Sequence, residues 1–374
     1  MCCYVENINN FSLPIVLYHM FLDTATGFYR HHDGPRRWNV DNESCYALNS
    51  PNSTPAAISV IVPTVGKRSK NLWGLALMLL NSSAMSHEAS ELRISHASSA
   101  SFEARNEMSA WLQKHGERSS SLSRRLVHVD ERTMDARIGV ASRFFTALSA
   151  RNEIIVQMDD DIMAYASTAQ LVGLLSCSVQ HELALGLPPG LHGPTTRYCG
   201  PRGYGKPWLR GMSRTWSFQD GRITITDSPR NVQLNVVLTN MAAMARGLVT
   251  RVAPRLLDHA PLLARTHGNG EDLVFANAVR LLGGRFVETD GHFRTTSAAD
   301  GSFVTRPGHY KQRMAICECL ALISEGESRH SGVHGNRREG HIDKSVDKSV
   351  EADAEREIGY TLLRCLNNSM TIHG

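Results

Sequence analysis

Three consecutive aspartates follow a short apolar run near the middle of the chain. The run, residues 154–158, is rich in β-branched residues, which is typical of a strand covered on both faces. Asp159, Asp160 and Asp161 follow at once. Clustered carboxylates repel each other, and Mn²⁺ or Mg²⁺ relieves the repulsion because both cations prefer oxygen ligands. The triplet predicts a metal–phosphate site at the end of a strand, where open α/β sheets bind ligands. A solvated acidic turn is the alternative.

Two other segments carry charges where a ligand could bind. Lys67 and Arg68 form a basic turn between a predicted strand and helix, which is how a nucleotide-binding α/β unit begins. A solvated loop is the alternative. Glu271 and Asp272 begin another predicted helix, where the helix dipole favours negative charge. A simple capping pair is the alternative there.

The pattern of apolar residues predicts the elements that position these charges. Strands are predicted at residues 58–62, 92–95, 126–129, 154–158, 235–238 and 285–288. Helices are predicted from Leu72 to Leu80 and at residues 102–115, 138–148, 171–185, 241–248, 273–282 and 310–323. Residues 186–232 show no clear element, and a loop of that length is usually functional. The alternation of strands and helices predicts an α/β fold with a mostly parallel sheet.

Composition limits the classes of partner. With 374 residues, 42% hydrophobic and 20% charged, the chain is long enough for one large α/β domain or two smaller ones. A net charge of +4 and the lack of a basic stripe interleaved with aromatics argue against a nucleic-acid partner. The eight cysteines form no CxxC pair, so we expect them mainly as small buried residues, and the redox compartment stays open.

No targeting segment is visible, and no run is apolar enough to span a bilayer. We therefore expect membrane association only through a missing anchor or a partner. N-glycosylation triplets permit a secretory location, and they begin at Asn10, Asn42, Asn52, Asn81 and Asn367.

Several motifs occur in an order that resembles the exostosin-type glycosyltransferase domain, glycosyltransferase family 64. The likeness covers roughly residues 58–323. Its motifs are ISVIVPT from Ile58, SRF from Ser142, QMDDD from Gln157, VVLT from Val236, GEDLVFAN from Gly270 and HYKQR from His309.

The resemblance implies a GT-A fold, a Rossmann-like nucleotide-diphospho-sugar transferase fold with helices on both faces of the sheet. It also implies a retaining glycosyltransferase that uses Mn²⁺ (or Mg²⁺). The expected partners are a UDP-sugar donor, with N-acetylhexosamine as the expected sugar, and a glycan or glycoconjugate acceptor. The family location would be the Golgi or ER lumen or membrane.

The resemblance also assigns roles to individual residues. Asp161 matches the metal ligand, and Asp272 and Arg313 match the residues needed for catalysis. The residues expected to bind the nucleotide-sugar are Thr64, Arg68, Arg143, Asp159, Asp160 and Glu271.

The resemblance and the composition together divide the chain into four parts. Residues 1–55 are expected to be an irregular lead-in and residues 56–324 the glycosyltransferase domain. Residues 325–357, rich in charge, Gly and His, are expected to be a disordered insert, and residues 358–374 a C-terminal tail.

This chain departs from the family pattern near its proposed catalytic pair. Gly270 stands where the family has a cysteine bonded to the last helix, Glu271 replaces an aspartate, and Asn240 replaces a glycine. Cys317 is therefore expected to lack that partner. A catalytically weak or inactive binding protein with the same fold is the alternative function. A Mg²⁺-dependent phosphohydrolase is a third, for which no nucleophile or two-metal ligand set is found.

Overall fold

The described residues of the computed structural model are 56–66, 68–115, 125–200, 203–209, 212–219, 222–229, 236–266, 268–289, 293–296 and 308–331. The predicted lead-in, residues 1–55, and the predicted tail, residues 358–374, lie outside them.

The described strands alternate with helices along the first half of the chain. The strands are β1 (Ile58–Thr64), β2 (Glu91–His96), β3 (Leu126–Asp130), β4 (Ile154–Met158), β5 (Gly190–Gly193), β6 (Thr196–Gly200), β7 (Gly203–Leu209), β8 (Met212–Gln219), β9 (Arg222–Pro229), β10 (Val236–Val237), β11 (Met241–Ala245) and β12 (Arg285–Glu288). The α-helices are α1 (Ser69–Asn81), α2 (Ser99–Glu103), α3 (Arg105–His115), α4 (Arg132–Ile138), α5 (Arg143–Leu148), α6 (Ala166–Ala184), α7 (Arg246–Val252), α8 (Ala260–Arg265), α9 (Glu271–Leu281) and α10 (His309–Ser331).

A seven-stranded sheet with the order β12-β5-β11-β4-β1-β2-β3 forms the centre of the fold. β1 pairs in parallel with β2 and β4, β2 with β3, and β5 with β12. β11 is antiparallel to both of its neighbours. Helices pack on both faces of this sheet. The predicted fold class, α/β with a mostly parallel sheet and helices on both faces, is confirmed.

Alternate side chains of β4 point to opposite faces of the sheet and so belong to two cores. Ile154, Val156 and Met158 pack with α1, α3 and α6, whereas Ile155 packs in the core that contains α5, α9 and α10. In that second core the rings of Phe144 and Phe275 stack with centroids 3.9 Å apart. The contact joins the first turn of α5 to α9, so the charged residues that begin these helices lie near each other.

The predicted helix at residues 241–248 is wrong. Residues 241–245 form β11, which lies between β4 and β5 with every residue buried, and the helix begins only at Arg246. Alanine and methionine favour helices, but the two flanking strands supply the backbone of this segment with a full set of partners. Tertiary pairing therefore overrides local propensity.

Residues 186–232 are not the long loop that was predicted. β5 completes the main sheet, and a second, antiparallel sheet has the order β10-β6-β7-β8-β9. β6 to β9 pair with their sequence neighbours, and β10 returns to pair with β6. The many Gly, Pro and Arg residues of this segment hide the alternation of apolar and polar residues that would have predicted strands.

Three predicted helices differ from the observed ones. Residues 102–115 divide into α2 and α3, and residues 138–148 become a 3₁₀ turn, Gly139–Ser142, followed by α5. Gly139 breaks the second helix because its φ is +61°, which L side chains rarely adopt. α10 runs beyond residue 325 to Ser331, and the remainder of the predicted insert lies outside the described residues.

Candidate nucleotide and metal site

The carboxyl ends of β1 and β4 lie side by side and bring two predicted groups together. The strands are parallel neighbours, with Ile61 opposite Gln157. Thr64 ends β1, and Asp159 and its two neighbours follow β4, so both ends lie at one edge of the sheet. This is the edge where ligands bind in open α/β sheets.

Asp160 anchors the aspartate turn to β1. Thr64 donates its hydroxyl to Asp160 Oδ2 at 2.8 Å, and Arg68 Nη1 donates to Oδ1 at 2.9 Å. Burial raises the pKa of Asp160, although the hydrogen bonds from Thr64 and Arg68 act to lower it. Both oxygens of this carboxylate therefore bind protein donors, and Asp160 fixes the turn.

Asn71, in the first turn of α1, is a residue that sequence reasoning missed. Its Nδ2 donates to the main-chain oxygens of Asp160 at 2.7 Å and Ile162 at 2.9 Å. The two carbonyls flank Asp161, so the amide fixes the backbone on both sides of that residue. No motif would have found Asn71, since an asparagine in a first turn normally indicates only local helix capping.

Asp161 carries the least compensated carboxylate of the turn. Its nearest cation is Arg68 Nη1 at 4.0 Å, and its side chain is 19% exposed. Burial, together with the negative charge of Asp159, raises the pKa of Asp161 to about 6. A partly exposed carboxylate whose charge the protein does not neutralise is suited to binding a cation.

Arg143, the first residue of α5, reaches the same turn from the opposite face of the sheet. Its Nη1 donates to Asp159 Oδ1 at 2.7 Å and to the main-chain oxygen of Thr239 at 3.1 Å. Burial acts to lower the pKa of Arg143, but Asp159 and Glu271 outweigh it and raise the pKa. The arginine is therefore charged, and it holds Asp159 beside the turn that precedes β11.

Glu271 continues this network toward α9. Thr239 Oγ1 donates to Glu271 Oε1 at 3.4 Å, a long bond. Burial, with Asp272 beside it, raises the pKa of Glu271 to about 7. A carboxyl group whose pKa is raised in this way is often found at functional sites.

Asp272 and Arg313 form a buried ion pair between α9 and α10. Arg313 Nη2 donates to Asp272 Oδ2 at 2.5 Å, and the side chains are 7% and 5% exposed, respectively. The guanidinium carbon of Arg313 also lies 4.7 Å from the centre of the Tyr204 ring. Burial acts to lower the pKa of Arg313, but Asp272 and Tyr204 raise it, so the arginine stays charged.

The capping alternative for Asp272 does not describe what its side chain does. Gly270 occupies the N-cap position of α9, and Asp272 lies in the first turn. Asp272 Oδ1 accepts a hydrogen bond from the amide of Leu273, while Oδ2 binds Arg313. The dipole of α9 favours the carboxylate, but its principal partner is the arginine of another helix.

Cys317 lacks a partner at position 270, as expected, but it forms a disulfide with another element. It is bonded to Cys199 of β6, with Cα atoms 5.0 Å apart. At position 270, where the resemblance implied a cysteine, a Cβ would lie 2.5 Å from Ile316 Cδ1. The side chain of Ile316 therefore fills that space, and α10 is tethered to β6 instead.

The structure thus brings the predicted site residues into one connected region. Thr64, Arg68 and Asp160 hold the aspartate turn from the β1 side. Hydrogen bonds and ion pairs then lead from Asp159 through Arg143 and Thr239 to Glu271, beside the pair formed by Asp272 and Arg313. Their roles toward a ligand remain predictions. Within the described residues, no group of three His, Cys, Asp or Glu side chains is arranged to hold a metal ion.

The chain matches no protein-family model and no curated protein. Among solved structures, it is similar to the mannosyltransferase PcManGT from Pyrobaculum calidifontis in complex with GDP-Man and Mn²⁺, with 14% identity, 88% of this chain and 92% of that chain covered, and a TM-score of 0.38. For S. aureus TarS 1–349 the identity is 14%, the coverage 85% and 90%, and the TM-score 0.40. Mouse xyloside xylosyltransferase 1 in its apo form is 12% identical, with 63% of this chain and 85% of that chain covered and a TM-score of 0.34. All these similarities are low, so we derive the function from the residues of this chain.

We expect Asp161→Asn to maintain or raise the stability of the metal-free protein at neutral pH. The pKa of Asp161 is raised from 3.8 to about 6. Between these values the folded state binds more protons than the unfolded state, so the free energy of unfolding falls as pH rises, by on the order of 1–3 kcal/mol. The variant should lose this part of the pH dependence in urea titrations from pH 4 to pH 7. A large loss of stability would show instead that the carboxylate is a structural acceptor.

Asp130→Asn is the matched control for that experiment. Arg132 lowers the pKa of the Asp130 carboxyl to about 2, which is opposite in sign to the shift at Asp161. The control should therefore leave stability unchanged or lower it.

We expect Asn71→Ala to weaken divalent-metal binding while the protein stays folded. The change removes two hydrogen bonds that fix the backbone on either side of Asp161. Each is worth about 1 kcal/mol, so the melting temperature should fall by only several degrees. Titration with Mn²⁺ in the presence of UDP would measure the loss of affinity, with Asn106→Ala, an exposed change on α3, as control. Wild-type affinity in Asn71→Ala would exclude this role.

Proposed function

We propose that the chain is a metal-dependent retaining glycosyltransferase of the GT-A type. It would transfer a sugar, N-acetylhexosamine, from a UDP-sugar to a glycan or glycoconjugate acceptor. The observation that carries this proposal is the meeting of three carboxylates and two arginines at the carboxyl edge of β1 and β4. A diphosphate leaving group needs both kinds of charge, since a cation joins the carboxylates to the phosphates and the arginines bind phosphate oxygens.

Mn²⁺ (or Mg²⁺) fits the residues present. Asp161 is partly exposed, and its nearest cation, Arg68 Nη1, lies 4.0 Å away, so its carboxylate would bind the metal. A single protein carboxylate is consistent with a metal whose other ligands are substrate phosphates and water, as is usual for Mg²⁺. When bound, the metal would act as a Lewis acid that stabilises charge developing on the diphosphate.

The two arginines would orient the nucleotide. Arg68 is 23% exposed and uses Nη1 for Asp160, which leaves further N–H groups for phosphate oxygens. Arg143 is almost fully buried, so it would act mainly by holding Asp159, whose side chain is 31% exposed, toward the sugar or ribose. Thr64 would hold Asp160 and act on the ligand only through the turn.

The sugar would lie beside the α9–α10 part of the site, which is formed by Glu271, Asp272 and Arg313. In the proposed reaction the bond between the anomeric carbon and the phosphate oxygen breaks, and its electron pair leaves with UDP. The acceptor hydroxyl forms the new glycosidic bond on the same face, and its proton passes to the leaving phosphate. A nearby carboxylate stabilises the positive charge that develops at the anomeric carbon. We assign this role to Asp272, with Arg313 holding its orientation.

One observation favours the alternative, a catalytically weak or inactive binding protein. Asp272 and Arg313 are both buried and neutralise each other, so a ligand would reach them only if the site opens. The phosphohydrolase alternative gains no support, since no two-metal ligand set occurs among the described residues.

The disulfide is relevant to the cellular compartment of the protein. Disulfides persist in oxidising compartments, so the Cys199–Cys317 bond supports the proposed lumen of the ER or Golgi. In the part of the chain that the structure describes, no helix is both long and apolar enough to cross a membrane.

We expect UDP to bind in a Mn²⁺-dependent manner. Calorimetry with UDP, with and without Mn²⁺, tests this. Affinity should be measurable with Mn²⁺, should fall at least about tenfold without it, and should fall in Asp161→Asn as well. Undetectable binding under both conditions would contradict the nucleotide–metal site itself.

We expect Asp272→Asn to lower the rate of sugar transfer by about a hundredfold or more, because it removes a charge that stabilises the transition state. The structure adds a second effect. Removing one partner of a buried ion pair leaves Arg313 unpaired, so the free energy of unfolding should also fall by about 3–5 kcal/mol. Transfer must therefore be measured well below the melting temperature of the variant.

Glu182→Gln is the matched control for Asp272→Asn. Glu182 is 2% exposed and pairs with Arg285 at 2.8 Å, on the side of the sheet formed by β5, β12 and α6. Its loss should destabilise the fold comparably but leave the transfer rate near that of the wild type. Equal rates in the two variants would remove Asp272 from the catalytic site.

A further inference from the structure

We propose that the Cys199–Cys317 disulfide and Tyr204 position Arg313 for the transfer reaction, an inference that rests on the function proposed above. The tether would then set the rate of transfer as well as the stability of the fold. Arg313 acts through Asp272, so Cys199, Cys317 and Tyr204 are positioning residues rather than catalytic ones.

The first part of the geometry lies on α10. Cys317 follows Arg313 by four residues, about one turn of helix, so the two side chains lie on the same face. The disulfide therefore holds α10 to β6 directly beside the arginine. Both residues are buried, and Cys317 is fully enclosed.

The second part lies on the β6–β7 hairpin. Cys199 of β6 is directly opposite Tyr204 of β7 in the antiparallel pair. The Tyr204 ring lies 4.7 Å below the guanidinium carbon of Arg313. One pair of cross-strand neighbours thus makes two contacts with one face of α10, a covalent bond to Cys317 and a cation–π contact to Arg313.

These contacts add to the hydrogen bond between the guanidinium and Asp272. Within the described residues, Nη2 binds Asp272, whereas the buried Nε has no hydrogen-bond partner. The orientation of Arg313 toward Asp272 therefore depends on where α10 and Tyr204 hold it. A displacement of about 1 Å is enough to weaken such a charge-assisted bond and to slow a reaction strongly.

Other contacts hold the first turn of α10 and pack it against α9. Asn269 Nδ2 donates to the main-chain oxygen of His309 at 3.2 Å and to Gln312 Oε1 at 2.8 Å. At Gly270, whose φ is +96°, the space for a Cβ is occupied by Ile316. The disulfide adds a covalent attachment of α10 to β6, about one turn beyond Arg313.

The test compares the wild type with Cys199→Ala/Cys317→Ala, in which the tether is absent and no thiol remains. Cys319→Ser is the control, because Cys319 is also disulfide-bonded but lies about 120° around α10 from Arg313. Both variants lose a disulfide, so both should melt at a lower temperature.

The first measurement needs no activity. The loss of unfolding free energy caused by Arg313→Met is measured by urea titration in the wild type and in the tether-free protein. If the tether positions Arg313, this loss should fall to less than about half in the tether-free protein, whereas independent sites give additive shifts in free energy. Additive shifts would overturn the proposal.

The second measurement is UDP release and sugar transfer with a panel of UDP-sugars and Mn²⁺, below the melting temperature of every variant. The tether-free protein should lose about tenfold or more in kcat with KM for the donor within about threefold, and Cys319→Ser should keep the wild-type kcat. Equal kcat in the wild type and the tether-free protein would overturn the proposal. If the wild type turns over no donor, the proposed function fails, while the urea experiment still decides whether the tether positions Arg313.

Tyr204→Leu keeps the disulfide and removes the ring that contacts Arg313. This variant therefore tests the proposal if the tether-free protein does not fold. We expect the same split, a loss of about tenfold in kcat with little change in donor KM. A wild-type kcat in Tyr204→Leu would overturn the positioning role.

Discussion

Buried arginines that must be paired determine how this fold is assembled around its site. Arg143 and Arg313 both lie inside the core, where an unpaired guanidinium would cost several kcal/mol, and each binds one carboxylate. Arg143 requires Asp159 at the end of β4, and Arg313 requires Asp272 at the start of α9. The two pairs therefore fix α5, α9 and α10 against the carboxyl edge of the sheet.

The surrounding core makes this arrangement possible. Phe144 follows Arg143 in sequence, and Phe275 lies shortly after Asp272. The stacking of the two rings therefore brings both charged residues to the same edge of the sheet. β11 lies antiparallel between β4 and β5, and the turn before it presents the Thr239 carbonyl to Arg143. Packing and electrostatics thus support the same geometry, and a change in either would disturb the other.

The disulfide attaches α10 to a different element from the one that the sequence resemblance implied. Ile316 fills the space at position 270, and Cys317 is bonded to Cys199. The covalent attachment of α10 therefore lies on the β6–β7 hairpin rather than on the turn before α9.

The sequence by itself determined the parallel half of the fold, because predicted strands alternate with predicted helices from β1 to β4. It also located the aspartate turn, because three carboxylates that directly follow a predicted buried strand favour a cation site over a solvated turn. Only the tertiary structure decided the rest. β11 is a strand because its neighbours pair with it, and Asn71 acts through main-chain carbonyls that carry no sequence signal. Cys199 and Cys317, 118 residues apart, meet only after two sheets and α10 have packed.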